Sequence, residues 1–371
     1  MGRRAWLAAL IGWTGCRRPN RGGLPGYALI ANQGGKSVAA IHLDTLSVRR
    51  HVSLADSPSA VVTHPARDAG YVLTPHSGTI YELAIPGLSV IRRHRLAGSL
   101  HSVRMASDGK TLWALARDDR RLVEWNLESW RLGRRILLPE APEDFDLSRE
   151  GVAAVAFPEA GLLGYWNLDS GKRLHLAEAG GTPRVVRFRS DGRQVLAGLT
   201  GQKTLLIADV ESGRTVTRLP LVIEPEQFCF KADGGILYVT GAGRDAVVSV
   251  YPYRGVVAET FLAGRAPGAM AVSGGAEPLL FVANPESGDV TVIDVITSKV
   301  IAAVAVGQEP ACIAVTPDDR YALVLNRRSG DVAVLLLEAL RNRRVRPAPP
   351  PLFTMIPVGA QPVSAAIKVL V

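Results

Sequence analysis

LFVANPESGDVTVIDVITSKVIAAVAVGQEPACIAVTPDDRYALVLN, residues 280–326, holds five short apolar runs parted by polar turns. Each run is strand-length, rich in Val, Ile, Leu and Tyr, and shows no helical period. The fifth run, YALVLN from Tyr321, restates the first, LFVAN from Leu280. One unit is therefore four strands, and the fifth run opens the next unit.

The same opening run recurs at Tyr27, Tyr71, Leu112, Val152, Val195, Leu237, Leu280 and Tyr321, at spacings of 40 to 44 residues. A fixed period of this length is the mark of a repeat architecture and has to be settled before any local structure is assigned. Between units stand Ser107-Asp108-Gly109-Lys110, Ser190-Asp191-Gly192-Arg193, Ala232-Asp233-Gly234 and Pro317-Asp318-Asp319-Arg320. Asp and Gly supply the positive φ that tight hairpins require, so these are hairpin turns and not helix caps. The one weak helical signal is LLLEALRNRR, residues 335–344, which could form a single turn.

A lone four-stranded sheet cannot cover both of its faces, whereas sheets stacked around an axis cover one another. The pattern predicts an all-β fold, a β-propeller of four-stranded antiparallel blades. Eight blades are expected, with seven the alternative if the divergent unit at Val152 or at Tyr321 forms no blade of its own. The chain ends on PVSAAIKVLV, residues 362–371, which matches PACIAV at 310–315 and has no strands after it. It is expected to close the ring as the innermost strand of the blade begun at Tyr27.

YALIAN at Tyr27 and the stretch from Leu280 to Asn326 resemble the bacterial YVTN-type β-propeller repeat, with its Y-V-x-N, V-I-D-x-x-T, V-x-V-G-x-x-P and P-D-G elements. The resemblance spans residues 27–371, close in the first and seventh units and loose in the third to sixth. It implies a secreted or surface-associated propeller, usually of seven blades, from a family with no shared catalytic residues.

The first sixteen residues, MGRRAWLAALIGWTGC, run from arginines through an apolar stretch to small residues, the order of a secretory signal. Thr14-Gly15-Cys16 resembles a lipobox, with Trp13 where Leu is favoured, so Cys16 is the expected lipidation site; simple cleavage or a retained anchor are the alternatives. Residues 17–26 read as a linker and 27–371 as the propeller. Localisation is then extracytoplasmic, in the periplasm or on the cell envelope. Cys229 and Cys312 sit in apolar strands, read as core residues, and match no zinc spacing.

Arg and Lys exceed Asp and Glu by nine. Part of that surplus is local, at Arg3, Arg4, Arg17, Arg18 and Arg21 and in the proline-rich run 341–351, expected to be an exposed loop. No aromatic-interleaved basic stripe accompanies it, so nucleic acid is not an expected partner. Membrane contact is expected only through a lipidated N-terminus, and the protein is expected to be a monomer.

Propellers hold ligands where loops lead into the innermost strands, and function has to be argued from that place and not from the fold. Aligned at these inbound loops stand Ser59, His101, Glu143, Arg184, Glu226, Gly268, Ala311 and Val363, with Asp144 and Gln227 one step further on. His101, Glu143, Asp144, Arg184, Glu226 and Gln227 would crowd one half of the channel mouth. Such a half-ring could hold a divalent cation, could share proton transfer on a sugar acid or lactone, or could be an ion-pair network. The other histidines, His51, His64, His76, His94 and His175, share no spacing and read as structural or solvated. No nucleophile elbow, phosphate loop, zinc-protease helix or heme-attachment motif is present. The leading reading is a non-enzymatic propeller, without cofactor, that binds a protein or small molecule on its loop face; the alternative is a lactonase or sugar-acid hydrolase.

Overall fold

The structure is a computed structural model and describes residues 24–342 and 350–370. The expected signal and lipidation site at Cys16, and most of the basic run, lie outside the described residues. Within them, thirty-two strands form eight antiparallel sheets of four. The units at Val152 and Tyr321 each build their own sheet, so the ring has eight blades and not the seven usual in the resembled family.

Blade one is completed from both ends of the chain. Strand Pro362–Val369 pairs with Gly26–Asn32, which pairs with Ser37–His42 and then Ser47–Ser53. Leu29 lies opposite Ala366 and Ile30 opposite Ala365, so the last strand is the innermost of the first blade, as its likeness to 310–315 required. Its first strand begins at Gly26, one residue inside the expected linker. Blades two to eight follow in chain order, each running from its innermost strand to its outermost.

The second and third strands of each blade are apolar almost throughout, as in LLFVAN and DVTVID, because both faces are covered by neighbouring blades. Eight buried clusters result, one at each junction between adjacent blades. The ring has no single core; each wedge carries its own, and a fully buried side chain such as Phe281 contributes roughly 2 to 3 kcal/mol to one.

The turns form as their chemistry dictates. Asp108, Asp191, Asp233 and Asp318 each accept the backbone N–H two residues on, at 2.8 to 3.3 Å. Gly109, Gly192 and Gly234 have φ near +70°, and Asp319 takes the same left-handed place at +58°. The helical signal becomes one short turn, Leu337–Arg341, leading into the basic run between the third and fourth strands of blade eight.

Cys229 and Cys312 are free and half-buried, and Cys312 packs against the core between blades one and eight. Both stand on innermost strands. Burial pushes the Cys229 thiol up to about 11 and raises that of Cys312, so neither is a ready nucleophile.

Candidate functional site

The loops that lead into the innermost strands share one face of the ring with the turns between second and third strands. Arg117 of one such turn pairs with Glu143 of an inbound loop, and Gly201 of another donates its N–H to the Glu224 carboxylate at 2.6 Å. On this face, blades three to six surround a cleft of about 620 Å³. His101, Glu143, Asp144, Arg184, Glu226 and Gln227 all line it, joined by Arg187 and Glu224. The alignment at the inbound loops therefore brings six side chains from four separate units to one place.

Their partners change what the site can do. Glu143 faces two guanidinium groups, Arg117 at 2.9 Å and Arg184 at 3.8 Å. Asp144 pairs with Arg104 at 3.3 Å and with Arg187, while one of its oxygens also accepts the Val186 N–H at 3.1 Å. Deeper in the channel, Asp146 accepts the Phe188 N–H at 2.9 Å and lies 4.0 Å from Arg104. Burial raises the Asp146 carboxyl above its ordinary value, against the pull of Arg187, its backbone donors and Arg104. Burial also lowers the Arg104 guanidinium, and neighbouring Arg187 adds to the effect. The Asp144 side chain is only 15% exposed and that of Arg187 27%, so this network is well shielded from water.

The divalent-cation expectation is not met by this geometry. Among the described residues no group of three or more His, Cys, Asp and Glu side chains stands close enough to hold a metal ion. Glu143 and Asp144 are paired instead with arginines, which compete with any cation for their lone pairs.

Not every group is tied down. Arg184 is 55% exposed and meets Glu143 only at long range. Glu226 has no ion-pair partner among the described residues, and Gln227 is exposed beside it. A smaller recess of about 220 Å³ adjoins the cleft, shares His101 with it and adds His76, Leu100 and Arg117. The mouth thus carries an arc of imidazole and guanidinium groups interleaved with carboxylates, from His101 through Glu143 and Arg184 to Glu226.

The opposite half of the ring offers little. Its innermost strands hold Ala60, Val62, Ala271 and Ala365, which pack against the cores between blades, and also Ala311 and Ala314. A larger opening of about 970 Å³ between blades seven and eight is lined by Arg265, Glu286, Glu309 and Arg328, which pair among themselves at its surface. Two histidines elsewhere serve the fold. His64 is buried with its Nδ1 accepting the Ala66 and Arg67 N–H groups, and His94 stacks on Trp125.

Arg104, Asp146 and Arg187 were not singled out from sequence, yet each stands three places after an aligned inbound-loop residue, His101, Glu143 and Arg184. Strand alternation from Asp144 leads directly to Asp146, so a signal was present there. Arg117 and Glu224 had no such signal, since they belong to turns and loops whose approach depends on the closed ring.

No protein-family model matches the chain, and no curated protein matches it. Among solved structures the chain is similar to one described as "Dihydro-heme d1 dehydrogenase NirN in complex with DHE". The TM-score is 0.76 at 14% identity, over 91% of this chain and 74% of that one. It is also similar to Kuenenia stuttgartiensis hydrazine synthase, at TM-score 0.58 and 15% identity, over 75% of this chain and 95% of that one. A functionally unknown protein from Desulfotomaculum acetoxidans DSM 771 aligns at TM-score 0.60 and 14% identity over the same shares. At such identities the likeness is one of fold.

Proposed function

We propose that this chain is a non-enzymatic, extracytoplasmic binding propeller whose channel mouth takes a carboxylate-bearing small molecule. The observation that carries the reading is the position of Arg184. It is half-exposed over a cleft of about 620 Å³, a size suited to a small ligand, and only loosely engaged by Glu143. A ligand carboxylate can replace Glu143 as its partner with better geometry, and a charge-assisted pair of this kind contributes about 1.5 to 3 kcal/mol. Arg117 and His101 stand ready for a second acceptor, and Glu226 faces them as an acceptor for a ligand donor. The paired inner network of Asp144, Arg104 and Arg187 serves as a rigid floor.

A second reading names the ligand class. His76 and His101 share one recess beside the arginines, and the fold is that of a protein solved as a dihydro-heme d1 dehydrogenase. Imidazole for an iron and guanidinium for carboxylates are the groups that a heme-type tetrapyrrole uses, so this is the ligand the arc fits best. The lining of the main cleft is mostly polar, with Val185 its largest aliphatic group, so recognition would rest on the ring's charged edge more than on its faces.

The order of residues 1–16 supports export, and Cys16 would carry the lipid anchor of an otherwise monomeric protein. Mass spectrometry of protein made with its leader tests that part, by a mature terminus at Cys16 with added acyl mass. The binding part is tested by titration with coproporphyrin, followed by absorbance, and with citrate, followed by calorimetry. Saturable binding of coproporphyrin over citrate supports the tetrapyrrole reading, citrate alone supports only the general one, and silence from both contradicts the proposal.

A further inference from the structure

The outermost strands of the eight blades differ in charge around the ring. Those of blades one, two and three, Ser47–Ser53, Ser89–Arg95 and Arg131–Leu137, hold eight arginines and no carboxylate. Those of blades six, seven and eight, Val256–Leu262, Lys299–Ala305 and Leu352–Pro357, hold one lysine and one glutamate. Within the basic group, Arg92 pairs with Glu82 and Arg134 with Glu124. The other six, Arg49, Arg50, Arg93, Arg95, Arg131 and Arg135, are exposed and have no ion-pair partner among the described residues.

These strands form one surface. Arg50 donates to the carbonyl of Gly87, in the turn that opens the outermost strand of blade two, at 3.4 Å. Arg92 of blade two lies over the ring of Trp130, in the equivalent turn of blade three, at 4.1 Å. Ile91 and Leu137 are exposed among the arginines, at 57% and 66%. Unpaired guanidinium groups interspersed with exposed aliphatic side chains suit a bilayer interface, where the first meet lipid phosphates and the second enter the headgroup layer. The surface is a ring perimeter spread over three blades, without a groove or stacking platform.

From this geometry we infer that the perimeter of blades one to three docks electrostatically on an anionic lipid surface. A single lipid anchor gives marginal attachment and a polybasic surface supplies the second signal, though the charge argument stands whether or not Cys16 is modified. It is also independent of the ligand reading, because the channel mouth contributes none of these residues.

The test is co-sedimentation of the full chain with phosphatidylcholine vesicles, with and without phosphatidylglycerol. The apolar N-terminal stretch acts on both vesicle types, so their ratio isolates the charge effect. The wild type should favour the anionic vesicles by about ten-fold or more at low salt, and should lose that preference at molar salt. Replacing Arg49, Arg93, Arg95 and Arg135 together by Gln should remove most of the preference. Replacing Arg193, Arg214, Arg254 and Lys299, exposed cations elsewhere, removes the same net charge and should leave it. Equal loss in both variants, or no preference in the wild type, overturns the inference; in the latter case an acidic protein is the partner to seek.

Discussion

The Asp144 carboxylate lies 3.1 Å from the backbone nitrogen of Val186, so a side chain of blade four satisfies a free donor on the inner edge of blade five. Innermost strands have no further strand to pair with, and an unpaired N–H facing a narrow channel is costly. Asp146 repeats the device at Phe188, and Ser364 of the closing strand does the same for Val61 of blade two at 3.2 Å. The charged floor of the site is thus also a seam of the fold.

Asp144→Ala should destabilise the protein by about 2 to 4 kcal/mol, because it strands two guanidinium groups and one N–H. Asp144→Asn keeps an acceptor for Val186 and should cost about half as much. Urea denaturation of both variants checks the order; equal loss in the two would mean that the N–H contact contributes little.

Ring closure rests on the last strand. Lys368 is 5% exposed and donates to the carbonyls of His64 at 3.1 Å and Pro65 at 3.2 Å, latching blade one to blade two. Lys368→Met should lower stability by about 1 to 3 kcal/mol by leaving both carbonyls unpaired. Ending the chain after Ala360 bares the edge of Gly26–Asn32 and should yield aggregating protein without a cooperative thermal transition.

His64 makes stability depend on pH. Burial, followed by the nearby Arg67, lowers its pKa below the ordinary 6.5; Lys368 pushes the same way, while the Gly109 carbonyl and Glu82 pull back. Its Nδ1 accepts two backbone N–H groups and must stay unprotonated to do so. With the folded value depressed, the unfolded chain binds the proton more tightly, so this contribution is complete above pH 6.5 and is lost as pH falls through the folded value. His64→Asn should be less stable at neutral pH and should show a flatter decline in denaturation midpoint between about pH 7.5 and 5. An unchanged slope would contradict this role.

Much of the ring was legible because blades need only strand length, apolar runs and Asp-Gly turns. Asn32 and Asn284 mark the two units closest to the resembled repeat and Asn326 holds the same place in the eighth, their side-chain amides donating to Val358, Asp289 and Asp331. Units with Arg117, Phe157 or Thr200 at that place fold into the same sheets, since strand pairing does not require the amide. The six mouth residues were legible from their place in the repeat, but not their chemistry. Whether Glu143 meets a metal or an arginine depends on Arg117 reaching across from the turn of the preceding blade, a contact set by how far the ring rotates between sheets.

The most direct test of the mouth as a carboxylate-binding site compares two single changes on coproporphyrin affinity, measured at constant salt. Arg184→Gln should weaken binding by about ten-fold or more, through loss of a charge-assisted partner. Glu143→Gln should leave binding unchanged or tighten it, because it frees Arg117 and Arg184 from a competing carboxylate. A Glu143→Gln variant that loses binding while Arg184→Gln keeps it would contradict the account and return the carboxylate to the centre of the site.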